Sequence, residues 1–502
     1  MSPYQDNLPA YDEDAPPDYS CEDIELGASN EKYGLDIKKP LPSDDFEESF
    51  AVEQPKWTDW PFAVVFGVVL VLFVGLVLFT TQDVVVNIAH VNPDQTRLIG
   101  LVLATGVICT YGGIVVLRKW PTVFINAGCL LNVATASSLA VGALSNDKLW
   151  AGLAFSFLAL LHILWYLEVR RRIPLSSLLL KQVIQVAQKN PVTWKISAAG
   201  TLGSAVFSLA TVFAVYGTMV KWGLDETGQL KNKTMFVAMG IFVLFTGTFI
   251  AEVLKNVLHS TVAGVYGSWY YLSHADRCPK NAGFAAFKRS VTYSFGSICF
   301  GSLILSVIQT LSNVANLAKH WAAQDGGLAG YIGFYIIEIF ASIMEVLVRW
   351  LNEYAYSLVS LYGLDFLHAA RGAFALVEQK GLTAPINDCL VNTALGLYSM
   401  FVAQMCGIVS ALFLFTTQPV WAQNTEGVVD LNMGVVLVVV FAVAFGFFVA
   451  SVATSVVHSG TVTFFIMLAK DPEVYKTTHP DEFARVFAVY PDVERKLQLD
   501  DF

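Results

Sequence analysis

Residues 61–80 read PFAVVFGVVLVLFVGLVLFT, an uninterrupted apolar run without a charge. An α-helix rising about 1.5 Å per residue needs roughly 20 such residues to cross the hydrocarbon core of a bilayer. Trp57 and Trp60 stand just ahead of it, where an aromatic belt would sit at the membrane surface. Comparable runs recur near 98–117, 121–143, 149–167, 194–219, 235–258, 291–318, 327–350, 388–415 and 431–458. They are too long and unbroken for the ~10-residue alternations of a membrane barrel. The chain is 55% hydrophobic and 14% charged, with a mean hydropathy of +0.55, which excludes a soluble protein of this length. The expected fold is an all-α polytopic membrane protein, a bundle of about ten transmembrane helices.

Orientation follows from the basic residues. With the N-terminus inside, Arg118, Lys119, Arg170, Arg171, Arg172, Lys288, Arg289, Arg349 and Arg371 all fall in loops on the inner side, and both termini are expected to be cytosolic. The segment Pro174–Asn190 between the fourth and fifth spans reads as an amphipathic helix, lying on the inner membrane face or packed under the bundle. Asn232-Lys-Thr234 is a sequon in an outer loop, so Asn232 is a glycosylation candidate. Three regions are expected: an acidic disordered cytosolic tail at 1–55, a transmembrane domain at 56–460 and a cytosolic tail at 461–502. The net charge of −10 arises largely in the first tail and gives no reason to expect a nucleic acid partner. Seven cysteines include no CxxC pair, and neither a metal site nor a cofactor motif is present. In the N-terminal tail, Leu8-Pro-Ala-Tyr11 and Pro16-Pro17-Asp-Tyr19 resemble WW-domain ligands, which bind cheaply because they are already extended. The partner expected there is a WW-domain ubiquitin ligase.

The most unusual stretch is EVLKNVLHSTVAGVYGSWYY, 252–271. An apolar span that carries Glu252 must direct the charge to a partner or a cavity. Gly264 and Gly267 permit close helix approach or helix movement, and a run of aromatic rings follows. Glu252 has Lys255 three residues on, and Glu345 has Arg349 four residues on, spacings that favour pairing along one helix face. Glu338, near the middle of the eighth run, has no such neighbour and stands out as a counter-charge or proton site. His162 in the fourth run is a candidate packing histidine.

KWTDWPF (56–62), RRIPLS (171–176), HSTVAGVYGSWYY (259–271), VTYSFGSICFGSL (291–303), LNEYAYSLVSLYG (351–363), ALGLYSMF (394–401) and DPEVY (471–475) together resemble the choline transporter-like family, in its fungal branch of pH-nine-sensitive proteins. The resemblance runs from about residue 56 to the C-terminus. It implies ten helices, cytosolic termini and a solute carrier for choline or a related organic cation at the plasma membrane or an internal membrane. Animal members carry a long cysteine-bearing loop after the first helix; Thr81–Arg97 is short and has none, so no disulfide carries over.

A quaternary ammonium offers no N–H donor, so aromatic faces and diffuse negative potential must hold it. Candidates for that task are Tyr266, Trp269, Tyr270, Tyr293, Phe300, Tyr354 and Tyr356, with Glu338 and Glu252 as acids and Gly264, Gly267, Gly296 and Gly301 as hinge or packing positions. The expected mechanism is alternating access without covalent chemistry. Alternatives are a proton-coupled carrier or exchanger of another solute, and a non-transporting scaffold acting through its tail. If the tail recruits a ligase, Tyr19→Ala is expected to lengthen the half-life of the protein at the cell surface at least twofold in a cycloheximide chase, and an unchanged half-life removes the ligase from the reading.

Overall fold

The computed structural model describes residues 40–488 apart from 41, 51, 53–55, 89–92, 146–147, 171–172, 224–230, 274–278, 280, 325–327, 380–389 and 420–432. Pro16, Pro17 and Tyr19 lie outside the described residues. Sixteen helices and no strand occur among the described residues: α1 (Phe46–Ser49), α2 (Trp60–Ile88), α3 (Pro93–Lys119), α4 (Pro121–Ser145), α5 (Leu149–Val169), α6 (Ile173–Lys189), α7 (Val192–Trp222), α8 (Lys233–Leu272), α9 (Ala282–Val291), α10 (Phe295–Gln324), α11 (Leu328–Tyr362), α12 (Phe366–Gln379), α13 (Val391–Thr417), α14 (Met433–Lys470), α15 (Pro472–Thr478) and α16 (Pro480–Phe487). Ten of them, α2–α5, α7, α8, α10, α11, α13 and α14, are long and apolar enough to cross a membrane.

Three of these helices outrun the apolar segments that announce them. α8 has 40 residues, α11 has 35 and α14 has 38, so each exceeds the ~20 residues a span requires. Hydropathy ends these segments near 258, 350 and 458, where serines, glycines and charged residues begin. The helices continue because those residues are buried against one another: Ser260, Ser268, Ser357, Ser360 and Thr463 are all buried. Arg349, expected in a loop, therefore lies within α11, and α14 runs past the boundary expected at 460. The extensions meet at one end of the bundle, called the tail end here, where the Tyr270 hydroxyl donates to the Asp471 carbonyl at 2.9 Å.

α8 is the hub of the bundle and packs against α2, α7, α9, α10, α11 and α14. Its approach to α7 is close at Gly200, where a Cβ would lie 2.3 Å from Leu258, in keeping with small residues at helix crossings. The amphipathic α6 is packed beneath the bundle: Leu179, Leu180, Val183, Ile184, Val186 and Ala187 are buried, and α6 contacts α4, α13 and α14. Asn232 caps α8, its side-chain oxygen accepting from Met235 N–H at 3.0 Å.

Both tails are tied to the tail end. Residues 42–50, expected to be disordered, include α1, with Phe46 and Phe50 buried and Glu47 paired with Arg289. A four-residue helix has no stability of its own; it is held by those contacts. At the other terminus, the Tyr475 hydroxyl donates to Gln182 of α6 at 2.7 Å, and Gln182 donates to Glu482 at 2.6 Å. Burial pushes the Tyr475 phenol well above the ordinary tyrosine range, so it remains a donor.

The 56–62 and 291–303 segments form a clasp. Asp59 sits at φ 51, a left-handed turn, and its carboxylate accepts from Ser297 Oγ at 2.7 Å and from Phe366 N–H at 2.9 Å. Thr58 N–H donates to the Tyr293 carbonyl at 3.0 Å, and Phe62 stacks on Phe300 with centroids 4.0 Å apart. This approach requires a glycine at 296, because a Cβ there would lie 2.3 Å from the Thr58 carbonyl oxygen and 2.4 Å from that of Asp59. Gly296→Ala is therefore expected to destabilise the fold by about 1–3 kcal/mol, seen as a lowered unfolding midpoint of the purified protein, whereas Gly240→Ala, with nothing within 4 Å, leaves it unchanged.

Candidate functional site

On α11 the residues Glu338, Glu345, Arg349, Glu353, Tyr356 and Ser360 recur three, four or seven apart, so they share one helix face. At about 1.5 Å per residue this face extends ~33 Å from Glu338 to Ser360, close to the thickness of a hydrocarbon core. It is met by polar residues of α8, α10 and α14, and the resulting seam passes from one end of the bundle to the other.

At the far end, Glu338 pairs with Lys319 of α10 and accepts from Asn316 Nδ2 at 2.7 Å. The acid without a partner on its own helix thus has two on the neighbouring one, and it stands eleven residues into α11 rather than at its centre. Next along the seam, Arg349 lies 3.2 Å from Glu252 of α8 and 2.8 Å from Glu345. Gln309 of α10 donates to Glu345 at 3.0 Å and to Glu252 at 3.4 Å. The Glu345–Arg349 pair is the one its spacing predicts. Glu252 does not pair with Lys255: Arg349 reaches across from α11, which satisfies two carboxylates with one guanidinium fork.

One turn further, Asn256 of α8 donates to Ser302 of α10 at 2.9 Å, and the Tyr356 hydroxyl donates to the Ile298 carbonyl at 3.2 Å. Beside them lies a group that hydropathy does not reveal. His458 of α14 has Nε2 3.1 Å from a Glu353 carboxylate oxygen and Nδ1 2.7 Å from Asn392 Oδ1. Its ring centroid is 6.4 Å from that of His259, which is 6.3 Å from that of Tyr356. Here His259 Nε2 and Asn352 Oδ1 are buried with no hydrogen-bond partner among the described residues. Such unmet polar capacity is expensive in a membrane interior. At the tail end, Ser360 Oγ donates to the Ser260 carbonyl at 2.5 Å, and Arg289 donates to the carbonyls of Ser360 at 2.9 Å and Leu361 at 2.5 Å.

The aromatic candidates do not converge on one cage. Tyr356 belongs to the seam. Tyr354 is buried against Trp350 with centroids 5.1 Å apart, while Tyr293 lies against Trp57 and Phe300 on Phe62 in the clasp. Tyr266 is buried and donates to the Val183 carbonyl at 2.6 Å; Trp269 lies beside His479, and Tyr270 is tied to Asp471. The glycines are close-packed: a Cβ at Gly264 would meet Ala286 at 2.3 Å, at Gly267 Leu361 at 2.3 Å and at Gly301 the Tyr356 hydroxyl at 2.4 Å. His162 is bonded within α5, its Nδ1 2.8 Å from the Leu158 carbonyl oxygen.

Comparison with known proteins agrees with the architecture. A family model described as plasma-membrane choline transporter matches residues 153–473. Protein PNS1 of Debaryomyces hansenii is 35% identical, the alignment covering 97% of this chain and 98% of that protein. Protein PNS1 of Candida albicans is 35% identical over 92% of each chain, and Protein PNS1 of Saccharomyces cerevisiae is 32% identical over 97% of this chain and 96% of that one.

Removing one member of a partly buried charge cluster leaves the others uncompensated, at a cost below the about 3–5 kcal/mol of a fully buried pair. Arg349→Met is expected to lower the unfolding midpoint by several degrees. The triple variant Glu252→Gln, Glu345→Gln, Arg349→Met, which leaves no stranded charge there, is expected to recover at least half of the loss in the same thermal scan.

Proposed function

The chain belongs to the choline transporter-like family, and on that premise we propose that it carries choline or a related organic cation across the plasma membrane, along the seam between α8, α10, α11 and α14. The observation that carries this reading is the charge of the seam's middle. Glu252, Glu345 and Glu353 stand against Lys255 and Arg349, an excess of one negative charge when the histidines are neutral. A monovalent cation entering there balances the set. The unpaired atoms of His259 and Asn352 suit the hydroxyl of choline, and the Tyr356 ring gives its methyl groups a π face.

Transport requires no bond to form or break. The cation enters at the Glu338–Lys319 end, which we assign to the outer side because the basic loops gather at the other. It exchanges between carboxylates along the seam and leaves at the tail end as helices shift about α8. Purified protein in liposomes is expected to exchange labelled choline well above empty vesicles. Glu353→Gln is expected to reduce exchange at least tenfold per folded protein, the folded amount being matched by size-exclusion chromatography; exchange by the wild type no greater than in empty vesicles removes choline as the substrate.

A second reading, proton coupling, is favoured by the Glu353–His458 pair, since an imidazole beside a carboxylate in the path gives a proton somewhere to reside. Coupling predicts that an imposed pH gradient drives net choline flux in the wild type. His458→Gln is expected to abolish that drive while leaving equilibrium exchange in place.

A further inference from the structure

The tail end holds an arrangement that the seam itself does not use. The Lys470 ammonium lies 5.0 Å from the ring centroid of Tyr362 and 5.6 Å from that of Tyr271. The Phe50 ring stands edge-on to both, with centroids 5.8 Å from Tyr362 and 6.3 Å from Tyr271. Asp471 supplies the countercharge, 2.9 Å from the ammonium, and also accepts from the Tyr271 hydroxyl at 2.5 Å. The Lys470 side chain is 2% exposed. Two ring faces within about 6 Å of a cation, with a third ring closing the side, are the elements of an aromatic cage for ammonium. Tyr271 lies in the last turn of α8 and Tyr362 ends α11, so the cage lies where the seam ends, beyond the Ser360–Ser260 contact.

We propose that Phe50, Tyr271, Tyr362 and Asp471 form a binding site for a quaternary ammonium at the tail end of the seam, filled in this conformation by Lys470 as a tethered stand-in for the ligand. The proposal rests on the transport reading for its substrate class. Its chemistry is independent of that reading, because rings and a carboxylate hold a cation without asking it for an N–H. A departing cation replaces Lys470, which stands on the last turn of α14. Phe50 is the removable wall. It belongs to the short segment held down by the Glu47–Arg289 pair and by the Arg289 guanidinium 4.8 Å from the Phe46 ring centroid. Release of that segment opens the cage towards the tails.

Emptying the cage tests the site directly. Full-length Lys470→Ala is expected to unfold at lower temperature than the wild type and to be restored by millimolar tetramethylammonium, with at least tenfold greater sensitivity than the wild type. Neutral 3,3-dimethylbutanol, of similar shape, is expected to restore nothing. Lys470→Met, which fills the space without charge, and Lys470→Ala combined with Tyr362→Leu, which removes a wall, are expected to lose the response. A Lys470→Ala midpoint unmoved by tetramethylammonium, or moved equally by the neutral alcohol, overturns the proposal. If Lys470→Ala does not yield folded protein, the wild type decides: tetramethylammonium is expected to raise labelling of the Lys470 amine by a succinimidyl reagent at least threefold by mass spectrometry, and unchanged labelling overturns the proposal. Failure of choline exchange in liposomes would count against the transport reading alone, since neither test depends on flux.

Discussion

The structure depends on the contact of Arg349 with Glu252 and Glu345. A charge in a bilayer interior is tolerated only with a partner, and here the partners sit on different helices, with Gln309 of a third helix completing the group. α8, α10 and α11 therefore cannot slide or rotate independently without stranding a charge. Lipid offers helices no hydrophobic reason to associate, so this electrostatic register does work that apolar packing performs in water. It also leaves the middle of the bundle polar, a requirement for any path that an ion could follow.

Around that register the helices divide by environment. Among the described residues, α2 as far as Thr80, α5 and the first half of α11 expose most of their apolar side chains, as a lipid-facing surface must. The C-terminal portions of α8, α11 and α14 do the reverse, and there small and hydroxyl-bearing residues replace the large aliphatic ones. Several of their hydroxyls return to the preceding turn, as Thr261 does to Val257 at 2.7 Å and Thr461 to Val457 at 2.9 Å, and others bond across helices, as Ser357 does with Thr463 at 3.1 Å, so they fit in tight crossings. The described parts of both tails, residues 42–50 and 471–487, pack onto this region.

Much of the architecture was legible in the chain. Runs such as 61–80 admit one reading, and the ten spans stand where hydropathy puts them. The Glu345–Arg349 pair was legible because its partners share a helix. The partner of Glu252 was not, since Arg349 lies 97 residues away and no periodicity in one helix names a residue in another. The partner of Glu338 was hidden for the same reason, Lys319 being on the preceding helix. His259, Glu353 and His458 fall just where apolar character fades, and that fading looks like a helix end when only hydropathy is followed. The docked residues around Phe46 and Phe50 were hidden by acidic neighbours; the two aromatics four apart were the signal available.

The Asp59 turn bears on the order in which the molecule is made. Asp59 precedes the first span, yet the groups that fasten it are Ser297, 238 residues later, and the Phe366 amide, 307 residues later. A chain emerging from the ribosome must insert α2 long before either partner exists, so the base of the first helix waits, unlatched, through the synthesis of more than half the protein. The body of α2 can settle against α7 and α8 as they appear, but the turn at its base is fastened only once α10 and α12 have been made.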